Sequence, residues 1–354
     1  MIYPHQSADP QKLNEPFGLT EIQKAYLIGR DSSFELGGIG THIYSEIETE
    51  LDIEKLNVAL NKLIKKHPML RAVFINETQQ QVVLEEIPHY NIKISDISSY
   101  GNEDQKQMIY DERSRMSHHV FNPTQWPLFE MTAYKLSPAK NYIFFGYDML
   151  IADGLSIRIF EKELLDFYHN PELKADSCEF SFRDYMIAYE EFKNSDVYMK
   201  DQQYHLDNVG EMPIGPTLLL KKSPSEVKKP RFTRKEKLFT AGQWDALKSV
   251  AKSYHVTPTA ILLFSYAKML NFWSSEDRFS ISLTVFNRYP FNKEVNKIIG
   301  DFTSVMHIDM DFSENKNLAD ELAIIQSKML EKLDHRHFDG VNSVSYTHLT
   351  LPTI

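Results

Sequence analysis

The sequence contains only one cysteine, Cys178, among its 354 residues. A single thiol cannot form a disulfide within the chain, which is typical of proteins that stay in a reducing compartment. No neighbouring residue in the sequence is of a kind that activates a thiol, so we expect Cys178 to be structural rather than nucleophilic.

Long apolar runs are also missing. The run AILLF at residues 260–264 is among the longest, and it is far shorter than the roughly 20 residues that a membrane-spanning helix needs. The N-terminal stretch MIYPHQSADPQKLNEPFG lacks the basic start and apolar segment of a signal peptide. We therefore expect a cytoplasmic protein that does not interact with membranes.

The chain has no excess of positive charge. Its 39 Lys and Arg residues are outnumbered by 49 Asp and Glu residues, which gives a formal net charge of −10. A protein with this balance does not attract nucleic acid through its overall field, so no nucleic-acid partner is predicted.

What the sequence does contain is typical of a folded globular protein. Hydrophobic residues make up 42% and aromatic residues 12%, and the mean hydropathy of −0.39 favours solubility. Since single hydrophobic cores stop growing at about 250–300 residues, a chain of this length has room for two packed lobes.

Strand-like and helix-like patterns alternate along the chain, which predicts the α/β class. Period-2 alternation or β-branched and aromatic enrichment predicts strands at 42–49, 80–87, 129–136, 141–147, 278–285 and 304–311. Apolar residues at helical spacing predict helices at 54–67, 155–169, 241–254, 258–273 and 317–334, the last with Leu318, Leu322, Ile325, Met329 and Leu333 facing inward. Thr240 with Gln243, and Thr257 before Pro258, are helix-start signals.

The clearest break in this pattern is the proline- and glycine-rich segment 207–237, which predicts a crossover between lobes. We expect an N-terminal lobe at 1–175 and a C-terminal lobe at 176–344 that includes this linker. The last residues, 345–354, do not continue the pattern; they look like translated sequencing-adapter read-through and are interpreted as a non-native tail.

The stretch YDMLIADGLS at 147–156 has the outline of an acyl-transfer loop: an apolar strand, two polar positions, then Asp153 and Gly154 leading into a helix. In that outline a histidine pair, HHxxxDG, supplies the base. Here Asp148 and Met149 occupy those two positions, so the loop itself has no imidazole.

Together with this loop, a series of motifs resembles the heterocyclization (Cy) domain of nonribosomal peptide synthetases, a variant of their condensation domain. DMLIADG matches the DxxxxD motif that replaces HHxxxDG in that variant. The motifs that carry the resemblance follow in the expected order: FGLTEIQKAYLIGR (17–30), HIYSEIE (42–48), KHPMLRAVF (66–74), DMLIADG (148–154), MPIGPTLLL (212–220), TPTAILLFSYAKMLNFWS (257–274), TVFNR (284–288), GDFTS (300–304) and LDHRHFDGV (333–341).

The resemblance implies a chloramphenicol-acetyltransferase-like fold, with two α/β lobes in a V around a central tunnel. Upstream and downstream peptidyl or aryl carrier proteins would deliver substrates on phosphopantetheine arms, next to adjacent synthetase domains, and the domain itself would bind no cofactor and no metal. It also implies a truncated C-terminal lobe, because the family continues beyond the LDHRHFDGV stretch. The basic run 221–237 is then either a solvated linker or a surface that attracts an acidic carrier protein.

The reaction implied is condensation of a carrier-bound acyl thioester with carrier-bound cysteine, serine or threonine, followed by cyclodehydration to a thiazoline or oxazoline. Two alternatives stay open: a condensation domain that stops at the amide, and an inactive carrier-docking fragment. Whether the product is a siderophore or another peptide is also open.

The resemblance assigns cyclodehydration to Thr303 and Asp334. Asp334 ends a predicted helix, and the dipole at a helix C-terminus disfavours a negative charge, which would help this group to act as an acid. Asn287 is a candidate for orienting substrate amides, or else a turn residue.

For the two aspartates of the DxxxxD loop, structural roles are favoured over proton transfer. Asp153 is expected to form an ion pair with Arg71 or Arg288, and Asp148 is expected to shape the site.

The spacing of His335 and His337 does not place both rings on one helix face, and no third ligand is suitably spaced, so a metal site is not predicted. The histidine pair His118 and His119 has no aspartate at the position that the HHxxxDG motif requires, and it is interpreted as the end of a helix.

Overall fold

The computed structural model describes residues 3–176 and 178–343. Its contacts divide the chain into two compact units. The N-terminal unit comprises Met1–Lys193 and Arg288–Phe302, and the C-terminal unit comprises Asn194–Asn287 and Thr303–Ile354. The tail predicted at 345–354 lies outside the described residues.

The division differs from the boundary predicted at residue 175. The helix Phe182–Phe192 belongs to the N-terminal unit, since Phe182 lies against Phe17 with ring centroids 6.3 Å apart and Phe192 lies against Tyr3 at 5.4 Å. These aromatic contacts with Phe17 and Tyr3 place the helix in the N-terminal unit, beyond the predicted boundary.

The N-terminal unit is built from seven strands and five α-helices in the described residues. They are β1 (Phe17–Gly18), α1 (Glu21–Ile28), β2 (His42–Thr49), α2 (Ile53–Lys66), β3 (Ala72–Ile75), β4 (Gln80–Val83), β5 (Lys93–Asp96), α3 (Asn102–Met116), β6 (Phe129–Lys135), β7 (Asn141–Asp148), α4 (Gly154–His169) and α5 (Phe182–Phe192). The strands form a sheet of order β1-β4-β3 and a larger sheet of order β2-β7-β6-β5.

Helices cover both faces of the larger sheet. Successive side chains of a strand point to opposite faces. On β7, Phe145 stacks on Phe160 of α4 at 4.6 Å, whereas the next residue, Gly146, faces Met116 of α3. The core of this unit therefore lies on two sides of the strand that leads into the DMLIADG loop.

The C-terminal unit contains α6 (Asp196–Val209), α7 (Ala241–Ser253), α8 (Pro258–Ser274), β8 (Arg278–Phe286), β9 (Thr303–Asp311) and α9 (Leu318–Asp334). Strands β8 and β9 pair antiparallel, with Phe286 opposite Thr303. Apolar residues of α8, α9 and the two strands form one core cluster.

Several local predictions are confirmed. Thr240 and Gln243 form the predicted capping box of α7, and Thr257 caps α8 with proline at the first helical position. Five predicted strands agree with the structure to within one residue. The exception is 80–87, which ends at Val83, opposite Ala72, where the neighbouring strand β3 begins.

Two other predictions need correction. Leu318 does not face inward: it is 44% exposed, because it is the first residue of α9, and the buried face of that helix begins with Leu322. The segment 207–237, predicted as a crossover between lobes, instead lies within the C-terminal unit, which includes Asn194–Asn287. It begins with the end of α6 at Val209, and Ile214 accepts a hydrogen bond from the backbone of Ser280 in β8.

No helix among the described residues combines the length and apolar character required to cross a membrane.

Candidate active site

Asp148, the first aspartate of the DxxxxD motif, is the last residue of β7 and is fully buried. One carboxylate oxygen pairs with Arg30 at 2.5 Å, and the other accepts a hydrogen bond from the backbone of Leu150 at 2.9 Å. Burial raises the pKa of the Asp148 carboxyl, and Arg30 limits that rise. These contacts support a shaping role, and they leave this carboxylate closed to solvent.

Sequence reasoning did not pair Arg30 with Asp148. The two residues are 118 positions apart, and Arg30 also donates to the carbonyl of Phe121 at 2.8 Å. Gln23, on the same segment as Arg30, donates to the carbonyl of Leu150 at 2.7 Å. The available sequence signal was the motif at 17–30, which contains both Gln23 and Arg30. Both residues contact the DMLIADG loop.

Asp153, the second motif aspartate, caps the N-terminus of α4. Its Oδ1 accepts hydrogen bonds from the backbone of Ser156 at 2.7 Å and from the guanidinium of Arg288 at 2.9 Å. Gly154 is the first residue of the helix. The motif aspartate is therefore an N-cap and an ion-pair partner at once.

Arg288 is the ion-pair partner, and Arg71 is not. Arg71 instead donates to the carbonyls of Leu84 and Glu85. Arg288 also donates to the carbonyls of Val295 and Ile298, each at 2.9 Å. Burial lowers the pKa of Arg288, and the charge of Asp153 opposes that shift.

Ser156 completes this network and was missed by sequence reasoning. Its hydroxyl donates to the carbonyl of Gly300 at 2.9 Å and accepts from the backbone of Gly300 at 3.1 Å and from Arg288 at 2.9 Å. A side chain at 300 would not fit, because a Cβ there would lie 2.3 Å from Phe182. The glycine of the GDFTS motif is thus required by close packing.

We expect Ser156→Ala to lower the free energy of unfolding by about 1–3 kcal/mol, since it leaves buried polar groups of Gly300 and Arg288 without this partner. Urea denaturation measures the change as a shifted midpoint at constant slope. Ser99→Ala, at an exposed serine of the same unit, is the control. Equal midpoints for the two variants would contradict the importance of this hydroxyl.

Three of the predicted site residues, Thr303, Asn287 and Asp334, lie in the C-terminal unit. Thr303 is a buried residue at the start of β9, opposite Phe286. Asn287 follows Phe286 directly, and its side chain donates to the carbonyl of Arg336 at 3.1 Å. Arg336 lies two residues beyond Asp334, which ends α9 and is exposed. Strand pairing and one hydrogen bond thereby connect the neighbourhoods of Thr303 and Asp334.

The histidines after Asp334 bind a carboxylate. Asp201 of α6 accepts from Nδ1 of His335 at 3.0 Å and from Nδ1 of His337 at 2.6 Å. Among residues 3–176 and 178–343, no group of His, Cys, Asp or Glu side chains is arranged to hold a metal ion. The pair at 118–119 follows α3, which ends at Met116, as predicted.

Sequence reasoning also missed Asp339, whose carboxylate contacts Ser304, the residue after Thr303. Asp339 is buried and accepts a hydrogen bond from the hydroxyl of Ser304 at 2.6 Å. Its other oxygen accepts from the backbone of Val341 at 2.7 Å. The hydrogen bond between Ser304 and Asp339 connects the segment after α9 to the start of strand β9. The motif LDHRHFDGV, which contains Asp339, was the available sequence signal.

This arrangement of motifs and elements defines a family. Residues 16–344 match the condensation domain family, and the chain belongs to it, in the branch found in nonribosomal peptide synthetases. The same comparisons confirm the predicted mixed α/β fold of the chloramphenicol-acetyltransferase type.

Particular relatives refine this assignment. The chain is 41% identical to bacitracin synthase 1 of Bacillus licheniformis over 341 residues, 96% of this chain and 6% of that protein. It is 26% identical to pyochelin synthetase PchF of Pseudomonas aeruginosa over 343 residues, 96% of this chain and 19% of that protein. The crystal structure of the EpoB cyclization-docking bidomain from Sorangium cellulosum superposes with a TM-score of 0.89 at 30% identity, covering 98% of this chain and 70% of that one. The chain thus spans less than a fifth of the length of either curated synthetase.

Proposed function

We propose that this domain joins a carrier-bound acyl or aminoacyl thioester to a carrier-bound cysteine, serine or threonine, and then closes the product to a thiazoline or oxazoline. The observation that carries the proposal is the position of Thr303, which pairs with Phe286 at the end of β8. The next residue, Asn287, donates a hydrogen bond to the carbonyl of Arg336, in the turn that follows Asp334. The likeness to the EpoB cyclization-docking bidomain and to phenyloxazoline synthase MbtB supports it.

In the first step the amine attacks the thioester carbonyl, a C–N bond forms, and the C–S bond to the upstream carrier breaks as the thiol leaves with the proton of the amine. The thioester is already reactive and the amine is a good nucleophile, so this step needs mainly positioning. Both motif aspartates are engaged in buried ion pairs, and neither is assigned proton transfer here.

In the second step the side-chain thiol or hydroxyl attacks the new amide carbonyl. The former carbonyl oxygen then leaves as water, taking one proton from the nucleophile and one from the amide nitrogen, and a C=N bond remains in the ring. Oxygen is a poor leaving group without a proton, so a general acid is needed. We assign that role to Asp334, with Thr303 orienting the departing oxygen.

The substrates would arrive on the phosphopantetheine arms of an upstream and a downstream carrier protein, with no cofactor held by this domain. The chain would then work beside further synthetase domains. The assay offers carrier-bound cysteine, serine and threonine as acceptors.

The test is mass spectrometry of the carrier-bound product. With a loaded acyl donor and a loaded acceptor carrier, we expect a product one water lighter than the linear amide. Omitting the domain is the control for spontaneous ring closure. A product that stays linear with all three acceptors would support the simpler condensation reaction, and no product at all would support a docking role.

A further inference from the structure

We propose that Asp201 is a positioning residue that holds Asp334 in the orientation ring closure requires. This inference rests on the proposed function of Asp334. Asp201 lies on α6, 136 residues before His337 in the sequence, and no motif of the family resemblance includes it. Its carboxylate does not reach a substrate in this proposal; it acts through the residues that follow Asp334.

The contacts of Asp201 surround the end of α9. One oxygen accepts from Nδ1 of His335 at 3.0 Å. The other accepts from Nδ1 of His337 at 2.6 Å and from the backbone of His337 at 3.1 Å. The first of these donors belongs to the residue directly after Asp334, so three hydrogen bonds fix the turn in which Asp334 ends the helix.

Neighbouring residues of α6 hold the same turn from the side. The ring of Tyr204 stacks on His335 with centroids 3.8 Å apart and planes 7° from parallel, and its hydroxyl donates to Glu331 at 2.5 Å. His205 donates from Nε2 to the carbonyl of His335 at 2.8 Å. The backbone and side chain on either side of Asp334 are thereby restrained, while Asp334 itself remains exposed.

The charge of this cluster supports a role beyond packing. Asp201 is 3% exposed, and burying a carboxylate costs more than burying an apolar side chain of similar size unless its hydrogen bonds are complete. Burial raises the pKa of Asp201, but the histidine hydrogen bonds outweigh it and the net pKa is lowered. The carboxylate therefore stays ionised and keeps accepting from both imidazoles.

Orientation matters because a catalytic group displaced by about 1 Å can lose about 10²-fold in rate. We expect Asp201→Ala to slow ring closure by about 10- to 100-fold and to change linear amide formation by less than about twofold. Asp201→Asn, which keeps one acceptor oxygen, should fall between the wild type and the alanine variant.

The experiment compares both steps in the full chain carrying Asp201→Ala, Asp201→Asn or Asp334→Asn. Asp207→Asn is the matched control, since Asp207 is exposed on the same helix and its carboxylate accepts a hydrogen bond from Gln203. Single-turnover rates of amide formation and of water loss are measured separately. Nδ1–H resonances of His335 and His337, followed by NMR, should be lost in the alanine variant and kept in Asp334→Asn.

Equal slowing of both steps in Asp201→Ala would overturn the inference, because a purely structural carboxylate acts on the whole domain. Unchanged ring closure in Asp201→Ala, with ring closure lost in Asp334→Asn, would overturn it while leaving the proposed function intact. Normal ring closure in Asp334→Asn would instead remove the catalytic assignment on which the inference rests. If the alanine variant does not fold, the asparagine variant gives the same comparison.

Discussion

Replacing Asp334 with asparagine is expected to slow ring closure by about 10²- to 10⁴-fold, the usual contribution of a general acid or base. Asparagine has nearly the same size but cannot donate a proton to the departing oxygen. The linear amide should still accumulate, because the first step needs positioning rather than acid catalysis. Since Asp334 is exposed at a helix end, the fold should survive the change.

Thr303→Val tests the second residue to which ring closure is assigned. Valine keeps the branched shape at this buried position and removes only the hydroxyl, and loss of one orienting hydrogen-bond donor costs about 10²- to 10³-fold. Carrier-bound products are followed by mass spectrometry as linear and dehydrated species.

The control for Asp334 is Asp320→Asn, at an exposed aspartate in the first turn of the same helix. It should leave both steps unchanged. Parallel loss of the amide and the ring in Asp334→Asn would show that Asp334 is not specific to cyclodehydration, and the assignment would have to be abandoned.

Replacing Arg30 with methionine is expected to lower the free energy of unfolding by about 3–5 kcal/mol, since it leaves Asp148 buried without a counter-charge. Asp148 is 0% exposed and Arg30 is its partner at 2.5 Å. The double variant Arg30→Met/Asp148→Leu should recover most of the loss, because two apolar side chains replace the pair. Urea denaturation of both variants measures the difference.

The loss in Arg30→Met should also depend on pH. Burial already raises the pKa of Asp148, so the folded variant binds a proton more tightly than the unfolded chain does. Stability then falls as pH rises between the unfolded and the folded pKa, and the deficit should shrink as pH is lowered toward the unfolded aspartate pKa of about 4.

Arg158→Met, at an exposed arginine of α4, is the matched control and should change stability by no more than about 0.5 kcal/mol. A deficit in Arg30→Met that does not vary with pH, or that the double variant does not reduce, would mean that Asp148 is not the group left uncompensated.

Much of the local structure was predictable from the sequence. The capping box at Thr240 and the proline start of α8 depend on residues within a few positions of each other. The buried stripe of α2 follows from apolar residues at helical spacing. Leu318 was misplaced because periodicity does not say where along a helix the neighbouring core begins.

The partners of charged residues were less predictable. Sequence reasoning left Arg71 and Arg288 open for Asp153, and it did not connect Arg30 with Asp148. Both aspartates pair with residues more than a hundred positions away. Local propensity carries no information about such pairs, because the strands and helices between them decide which side chains meet.

The sequence by itself determined the α/β class, the bounds of most of the elements it predicted, and the family; the roles of Thr303 and Asp334 stay a prediction from the family resemblance. Only the tertiary structure decided that Arg288 completes the Asp153 network, that Arg30 neutralises Asp148 and that Asp201 holds the end of α9. The physical reason is that burial makes a charge costly wherever it lies, while only the folded chain brings a distant group close enough to offset that cost.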